Sequence, residues 1–392
     1  MDRGKKGKRY KICYILMAVL GGAQEHLTLV LKSLNRESFD ITLILDKKQA
    51  EYISNSEIFH LNNVSIILMP LAGSYNLKGI LYLYKFFKRK KFDIVHTHTS
   101  KADVIGSFAA FLARVPVRVS TIHAIFAQEL VLRKSPRLHS LLYLALLQIA
   151  YILNTDLICV SNAARKSLAV NPLISSKKVF VIYHGYEPKF YSGPPIELPE
   201  QLSTFATIAY VGRISPEKGL HVLIEAVNIL KENAIKVAVV VLGECSSDTY
   251  MARITNMLNR YGIEEQFYFA GFVKRVSPWI VHADMLVVPS LIETFCLAVL
   301  DGWHAQKPIV APRTGGVPEV VTNGSNGLLF EPGSYYELSG KIKYLLTHQK
   351  DAERMGRSGY LTLKKRFAHD KMVRKTEAIY FNHNIPSGIQ AD

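Results

Sequence analysis

Short runs of β-branched and aliphatic residues alternate along the chain with longer amphipathic stretches. After an opening strand predicted at 11–19, the first half predicts strands at 40–45, 64–69, 93–96, 117–122, 156–160 and 179–183. Stretches with helical periodicity, such as 23–34 and 101–113, lie between most of them. This alternation is typical of an α/β protein with a parallel, doubly wound sheet and helices on both faces.

The pattern stops near the middle and then starts again. The segment Ser192-Gly193-Pro194-Pro195 predicts a linker over 193–204. Further strands are predicted at 207–212, 236–243, 267–271, 284–289 and 308–311, with helices at 217–232, 248–261 and 295–306. We expect two doubly wound domains that face each other across a cleft, because 392 residues exceed one ordinary core. The predicted domains are 1–192 and 205–368, followed over 369–392 by a helix that crosses back to the first domain and a loose tail.

The N-terminal segment allows two interpretations. MDRGKKGKRYK followed by ICYILMAVLGGA has the basic start, short apolar run and small residues of a signal peptide. The continued alternation after it favours a first β-strand instead. The apolar run at 138–153 is shorter than the ~20 residues of a membrane span and predicts a buried helix.

Charge is distributed unevenly between the two halves. Residues 1–195 hold 27 Lys and Arg against 12 Asp and Glu, whereas the remainder holds 21 against 20. The basic half is expected to face nucleic acid, anionic lipid or a phosphorylated substrate. The segment 77–93 is either a core-packed helix with a basic end or a contact with an anionic membrane. The chain shows no recognisable nucleic-acid-binding motif, so we expect no nucleic acid partner.

Metal binding and disulfides are not indicated. The four cysteines, Cys13, Cys159, Cys245 and Cys296, are far apart and form no C-x-x-C pair, which suits a reducing compartment. Cys13 and Cys159 lie in apolar runs and are expected in the core. The histidines lack further ligands at zinc spacing and the chain has no D-x-D motif, so no metal cofactor is expected.

Two strand-to-helix turns are candidate ligand sites. In VGRISPEKG, 211–219, Arg213 and Lys218 flank a predicted helix start, where amide groups and cations together favour phosphate. The alternative is a solvated turn. Gly21 and Gly22 follow the first strand, where the lack of side chains lets a ligand approach the backbone. A bare Gly-Gly is a weak signal.

The segment 292–321 places Glu293 and Asp301 eight residues apart. Eight helical residues rise ~12 Å, so the two acids cannot act on one atom but can hold two parts of a long ligand. A helix start at Thr294–Cys296 would place free amide groups between them. The alternative is a helix-start acid and an unrelated surface charge.

Histidines follow three predicted strands, in HTHTSK (96–101), STIHA (120–124) and IYHGY (182–186). Residues at the carboxyl ends of parallel strands lie along one edge of the sheet, where ligands bind. All three segments are therefore candidates for a site, and the alternative for one member of the 96/98 pair is a packed position in the core.

In combination, these motifs resemble the retaining, nucleotide-sugar-dependent glycosyltransferases of family 4, which have the GT-B fold of two Rossmann-like domains. The resemblance covers nearly the whole chain. It rests on Gly-Gly after the first strand, HTHTSKADVIG (96–106), Thr121–His123, IYHGYE (182–187), VGRISPEKG (211–219), PSLIETFCLAVLD (289–301) and TGGVPEVVTNGSNGLLF (314–330).

The resemblance implies a role for each matching position. The donor diphosphate would be held by two cations and by amide groups, the donor sugar by an acid and a histidine, and the acceptor by residues of the first domain. The implied catalytic residues are His123, Arg213, Lys218 and Glu293. The implied donor-binding residues are Gly21, Gly22, Arg213, Lys218, Phe272, Val273, Glu293, Phe295, Cys296, Leu297 and Asp301, and the acceptor-binding residues are His98, Ser100 and Lys101.

Three positions depart from the family pattern. Asp301 stands where Glu is usual and is one methylene shorter, which puts the strength of ribose binding in doubt. Cys296 stands where Gly is usual, so the turn must tolerate a side chain and the thiol is a candidate point of inactivation. Ala124 replaces a common Gly after His123 and indicates an altered acceptor loop.

The resemblance implies transfer of a hexose or N-acetylhexosamine from a nucleoside-diphosphate sugar, UDP rather than GDP, to a lipid-linked or oligosaccharide acceptor. It also implies a metal-independent enzyme of surface-polysaccharide assembly, located in the cytoplasm at the inner face of the plasma membrane. The alternatives are an enzyme that processes sugar nucleotides without an acceptor and a catalytically weak homologue that acts as a binding protein. The sequence leaves the oligomeric state open.

Overall fold

The computed structural model describes residues 9–17, 21–52, 56–71, 76–125, 137–188, 204–245 and 247–383. The chain forms two compact units, unit 1 from Met1–Gly185 with His369–Asp392 and unit 2 from Tyr186–Ala368. Of the predicted linker 193–204, all but Thr204 lies outside the described residues, as do the last residues of the predicted tail, 384–392.

Unit 1 is built on a seven-stranded sheet in the order β3-β2-β1-β4-β5-β6-β7. Every strand pairs in parallel with its neighbours. The strands are β1 (Tyr10–Leu16), β2 (Phe39–Asp46), β3 (Val64–Met69), β4 (Ile94–His98), β5 (Val117–Ile122), β6 (Asp156–Cys159) and β7 (Val179–Val181). The strand predicted at 11–19 is confirmed over residues 11–16, since β1 is a central, buried strand that ends at Leu16. Residues 18 and 19 of that prediction lie outside the described residues.

Helices cover both faces of this sheet, and α14 returns to it after unit 2. They are α1 (Gly22–Ser33), α2 (Lys47–Tyr52), α3 (Leu77–Lys90), α4 (Ser100–Leu112), α5 (Arg137–Leu153), α6 (Asn162–Leu168) and α14 (His369–Phe381). Helix α4 packs between α3 and α5. The prediction of a fully buried helix at 138–153 is wrong for one face of α5, because Leu138 is 78% exposed and Leu141 59% exposed.

Unit 2 repeats the architecture with a six-stranded parallel sheet in the order β10-β9-β8-β11-β12-β13. Its strands are β8 (Ala206–Val211), β9 (Val237–Leu242), β10 (Phe267–Gly271), β11 (Met285–Val287), β12 (Ile309–Pro312) and β13 (Leu328–Phe330). Valine occupies most of β9, which is buried along its whole length, as expected for a strand covered on both faces.

The helices of unit 2 are α7 (Leu220–Glu232), α8 (Asp248–Tyr261), α9 (Ser277–His282), α10 (Leu297–His304), α11 (Val317–Val320), α12 (Tyr335–Thr347) and α13 (Gln349–Arg366). Within the described ranges, no helix combines the length and the apolar character that crossing a membrane requires. Both sheets reverse their strand order beside their first strand, β1 or β8. Ligands of open α/β sheets bind at this switch point, at the carboxyl ends of the strands.

Candidate functional site

At the switch point of unit 2, the loop after β8 contacts the loop after β11. A 3₁₀ turn, Pro216–Lys218, follows β8 and leads into α7. Gly219 has φ +68°, and a Cβ there would lie 2.0 Å from the carbonyl oxygen of Pro289. The backbone N–H of Leu291 donates to the carbonyl of Glu217 at 2.9 Å. Glycine is therefore required at 219, and the close contact fixes the two loops against each other.

A partly buried ion pair lies in this junction, with the Lys218 side chain 26% exposed. Lys218 Nζ is 2.7 Å from Glu293 Oε1, and the Ser290 hydroxyl donates to the same carboxylate oxygen at 2.8 Å. Glu293 is only 8% exposed. Burial acts to lower the pKa of Lys218, but the attraction of Glu293, with a smaller effect of Cys296, outweighs it and the pKa is raised. The ammonium is thus held charged and fixed in direction.

Arg213, the second predicted cation, is held loosely. Its side chain is 65% exposed and lies 3.3 Å from Glu217. Only its backbone is fixed firmly, because the buried Tyr210 hydroxyl donates to the Arg213 carbonyl at 2.8 Å. A guanidinium on a fixed backbone with an exposed head is free to turn toward an anion.

Helix α10 begins beside this pair. Its N-cap, Cys296, has φ +77°, which explains why glycine suits this position. Phe295 is buried and its ring meets Phe367 edge-on at 5.8 Å. Burial, reinforced by Glu293, raises the pKa of the Cys296 thiol, so it stays protonated and weakly reactive. The predicted side chain in this turn is therefore accommodated, and its burial disfavours inactivation through the thiol.

The remaining predicted donor residues lie at other points of unit 2. Asp301 lies one turn into α10 and its Oδ1 accepts a hydrogen bond from the Tyr186 hydroxyl at 3.1 Å. Phe272 is 57% exposed and, with the half-buried Val273, follows β10 at the edge of the sheet. Their contact with ribose and nucleobase stays a prediction.

In unit 1 the corresponding switch point holds a cluster of five histidines. Each ring centroid lies 4.4–5.6 Å from that of another member. Three members, His98, His123 and His184, end or follow strands, as predicted, whereas His96 lies inside β4 and His26 comes from α1. The histidine cluster consists of His26, His96, His98, His123 and His184.

Hydrogen bonds fix the cluster in place. His96 is bonded through Nδ1 to the Tyr380 hydroxyl at 2.6 Å and through Nε2 to the Thr121 hydroxyl at 2.7 Å, so both of its nitrogens are used inside the core. His98 is equally buried. His98 Nδ1 lies 3.2 Å from His123 Nε2, and His26 Nδ1 lies 3.0 Å from His184 Nδ1. Each pair requires one ring to donate and the other to accept.

The cluster is neutral at physiological pH. Burial lowers the pKa of His26 to about 4. Burial, followed by repulsion from neighbouring imidazoles, lowers the pKa of His96, His98, His123 and His184 well below its usual value. Neutral imidazoles each offer one donor and one acceptor, a combination that suits sugar hydroxyls.

A pocket of about 150 Å³ opens beside His123. Its polar wall contains Ser100 and Asp103 from α4, and its apolar wall contains Leu147 and Tyr151 from α5. Asp103 is 1% exposed and its Oδ1 accepts hydrogen bonds from the hydroxyls of Thr97 and Ser120, each at 2.6 Å. The pocket therefore presents a fixed carboxylate and a neutral imidazole to whatever enters it.

The structure places two of the three predicted acceptor-binding residues near His123. His98 contacts His123, and Ser100 lines the pocket with His123, whereas Lys101 is exposed. Gly21 is the N-cap of α1 with φ +121°, a conformation open to glycine alone, and Gly22 begins the helix. Their predicted contact with the donor is not tested by this geometry.

Two residues of unit 1 were missed. His26 lies inside a helix and follows no strand, so the strand-end rule could not find it. Asp103 is an isolated acid in an apolar helix, and its pairing with Thr97 and Ser120 depends on the packing of α4 against β4 and β5. In α4, the one available signal was an acid within the first turn of an otherwise apolar helix.

Comparison with known proteins places these features in a family. The model of glycosyl transferases group 1 matches residues 199–362, and the model of glycosyltransferase family 4 matches residues 20–190. A UDP-Gal:α-D-GlcNAc-diphosphoundecaprenol α-1,3-galactosyltransferase of Escherichia coli is 30% identical over 342 residues, which are 82% of this chain and 84% of that protein. The chain belongs to glycosyltransferase family 4. The predicted family is confirmed.

Other relatives of this glycosyltransferase agree. The capsular polysaccharide biosynthesis glycosyltransferase CapM of Staphylococcus aureus is 24% identical over 359 residues, covering 88% of this chain and 91% of that protein. The Anabaena protein HepE, solved in complex with UDP and glucose, matches with a TM-score of 0.76 at 20% identity over 94% of this chain and 99% of its own. The GT-B fold of two Rossmann-like domains is thereby confirmed.

Proposed function

We propose that this glycosyltransferase is a retaining, metal-independent hexosyltransferase. It transfers a hexose or N-acetylhexosamine from a UDP-sugar to a lipid-linked glycan in the assembly of a cell-surface polysaccharide. The observation that carries the proposal is the partly buried Lys218–Glu293 pair at the carboxyl ends of the adjacent strands β8 and β11. A fixed cation at a switch point is suited to a ligand with a diphosphate.

The comparisons support the substrate classes. The Escherichia coli relative is named for transfer of galactose from UDP-Gal to a diphosphoundecaprenol-linked sugar, and the Staphylococcus aureus relative for capsule synthesis. HepE was solved with UDP. We extend these names to the present chain as a UDP-sugar donor and a lipid-linked acceptor, and place the enzyme in the cytoplasm at the inner face of an anionic plasma membrane.

In the proposed mechanism, unit 2 holds the donor and stabilises the leaving nucleoside diphosphate. Negative charge develops on the phosphate as the glycosidic bond breaks, and Lys218, Arg213 and the amide groups at the start of α10 are placed to stabilise it. Glu293 serves twice, because it orients Lys218 and offers a carboxylate to donor hydroxyls. These protein charges take the part that a bound cation would otherwise play.

Unit 1 is proposed to hold the acceptor in the pocket beside His123. In a retaining transfer without a covalent intermediate, the acceptor hydroxyl attacks on the face from which the phosphate leaves, and that phosphate accepts the proton of the hydroxyl. Burial lowers the pKa of His123, so the neutral imidazole is a weak base. It then positions hydroxyl groups without competing for that proton. Ser100 and Asp103 offer further hydrogen-bonding groups at the wall of the pocket.

The test is calorimetric titration of the full chain with UDP and with GDP, without added metal. We expect UDP to bind, and Arg213→Ala to weaken it by roughly 10- to 100-fold, the worth of a charged hydrogen bond to phosphate. The matched control is Arg260→Ala, an exposed arginine in the last turn of α8. Preference for GDP would overturn the donor assignment, and equal binding by Arg213→Ala would remove Arg213 from the site.

A product assay separates transfer from hydrolysis. The expected result is a sugar joined to an added lipid-linked acceptor. Release of free sugar at the same rate with and without the acceptor would identify an enzyme that processes sugar nucleotides alone.

A further inference from the structure

Helix α5 is apolar on two opposite faces. The inner face, with Tyr143, Leu144, Leu147 and Ala150, is buried in the core of unit 1. The outer face carries a stripe at spacing i, i+3, i+4, i+7 and i+11 that is exposed along its whole length. The outer stripe of α5 consists of Leu138, Leu141, Leu142, Ala145 and Ile149. A helix that is apolar on the face opposite the core needs a second surface to cover that face.

A neighbouring segment extends this surface. Asn171 donates to Gln148 of α5 at 2.7 Å and so ties the segment after α6 to the flank of the outer stripe. In that segment Val170 is 83% exposed and Leu173 is 72% exposed. The apolar surface therefore involves two separate parts of the chain.

The part of the chain that contains α5 and the segment tied to its flank is basic. Between Asp103 and Glu187 the sequence has nine Lys and Arg but only two acids, Glu129 and Asp156. Asp156 is 4% exposed, and Glu129 lies outside the described residues. Arg165, Lys166 and Lys177 are exposed on α6 and the segment after it. The adjoining Lys178 donates to three carbonyl groups at the end of α5, those of Tyr151, Ile152 and Asn154.

The inner side of the same helix lines the pocket beside His123. Leu147 and Tyr151 lie in the pocket wall, whereas Leu141, Ala145 and Ile149 face outward. Only the thickness of one helix, ~10 Å, separates the pocket from the outer stripe.

We propose that the outer stripe of α5 lies on an anionic lipid bilayer, with its leucines in the boundary between head groups and acyl chains. The exposed cations then face the anionic head groups, and the pocket beside His123 lies close to the membrane surface. The function of this placement rests on the proposed lipid-linked acceptor, which would reach the pocket without leaving the bilayer.

Lipid fits this surface better than a protein partner does. The outer stripe is purely aliphatic, whereas protein interfaces are rich in aromatic residues and carry about ten hydrogen bonds. An aliphatic face bordered by cations is the pattern of a helix that lies in the plane of a membrane interface. With 17 residues, α5 lies on the surface and does not span it.

The test is co-sedimentation of the full chain with vesicles of phosphatidylcholine alone and of phosphatidylcholine with one quarter phosphatidylglycerol. We expect binding to the anionic vesicles and, for Leu141→Ser/Leu142→Ser, a loss of at least ~10-fold. The matched control is Leu361→Ser, which changes a 65% exposed leucine in unit 2 and should bind as wild type does. Lys166→Ala/Lys177→Ala should weaken binding to anionic vesicles alone.

Two outcomes overturn the inference. One is that the wild type fails to bind anionic vesicles, or that the leucine variant binds them equally well. The other is that the leucine variant dissociates an oligomer of the wild type in light scattering, which would assign the outer stripe to a second copy of the chain. Thermal unfolding by circular dichroism verifies that the variants fold. UDP titration of the same samples tests the proposed function separately, because nucleotide binding belongs to unit 2.

Discussion

The two units of this glycosyltransferase place polar groups at equivalent points of similar sheets but give them opposite electrostatic character. Unit 2 holds a partly buried charged pair, Lys218 and Glu293, at the carboxyl ends of β8 and β11. Unit 1 buries five imidazoles, which burial keeps neutral. A fixed charge suits a diphosphate, whereas a neutral cluster suits hydroxyl groups. The difference is consistent with the proposed donor site in unit 2 and the proposed acceptor site in unit 1.

The backbones of the two sites share one feature. Among the described residues, Thr99 before α4 and Cys296 before α10 are the two non-glycine residues with positive φ that serve as helix N-caps, at +80° and +77°. Such conformations cost about 1–3 kcal/mol and cluster at functional sites. The strain thus indicates the same two helix starts as the side chains do.

The largest effect is expected when the ion pair of unit 2 is broken. Lys218→Met leaves the carboxylate of Glu293 buried without its cation, and we expect a loss of about 3 kcal/mol in the free energy of unfolding. Both tryptophans, Trp279 and Trp303, belong to unit 2, so their fluorescence in urea measures this loss.

The control for this experiment is Arg213→Met. Its exposed pairing with Glu217 should change stability by no more than about 0.5 kcal/mol. The two variants should therefore differ. We expect Lys218 to contribute to both folding and ligand binding, and Arg213 to ligand binding alone. Equal losses in the two variants would contradict the structural distinction.

The next prediction concerns the neutral histidine cluster of unit 1 and the effect of lowering the pH on its stability. Because burial lowers the histidine pKa values in the folded state, the unfolded chain takes up protons first as the pH falls below about 6.5. The free energy of unfolding of unit 1 should then fall by up to ~1.4 kcal/mol per pH unit for each histidine, and the fall caused by His26 should continue to about pH 4. Between pH 7 and 8 the cluster should not make the free energy of unfolding depend on pH.

This dependence is measured by urea unfolding at several pH values. Circular dichroism should show unit 1 unfolding earlier at pH 5.5, while tryptophan fluorescence of unit 2 changes less. Lys218 has a raised pKa, so its contribution to unit 2 is present throughout this range and is lost only at alkaline pH. His26→Gln should reduce the slope for unit 1, and an unchanged slope would show that the cluster does not control it.

The smallest effect concerns the strained N-caps. Cys296→Gly removes a side chain from a left-handed conformation but gives the unfolded chain more freedom, so we expect a net change within about 1 kcal/mol. Thr99→Gly should gain more, since a β-branched residue tolerates positive φ least. Urea unfolding of both variants measures the difference, and a larger gain at Cys296 would contradict it.

Sequence patterns predicted the strands well because buried parallel strands have a strong compositional signal. The runs 64–69, 117–122 and 267–271 coincide with β3, β5 and β10. Strand β13 has only three residues and was not predicted. The core positions of Cys13 and Cys159 are confirmed, since both are fully buried.

The partnerships within the sites could not be predicted from the pattern. Lys218 and Glu293 were each assigned to the donor, but their direct pairing joins residues 75 positions apart. The hydrogen bond from Tyr186 to Asp301 likewise links distant segments. Helix α5 shows another limit, because two opposite faces are apolar and the sequence does not reveal which of them the core covers.

Helix α14 also determines the order in which the protein can be completed during synthesis. The hydroxyl of Tyr380 is bonded to His96 at 2.6 Å and to Tyr14 at 2.9 Å, deep in unit 1. A ribosome delivers all of unit 2 before it delivers Tyr380, although domains generally fold in the order in which they emerge. We therefore expect ribosome-bound chains that end before α14 to protect unit 2 from protease while unit 1 is still cleaved. The unit that emerges first is thus the last to be finished.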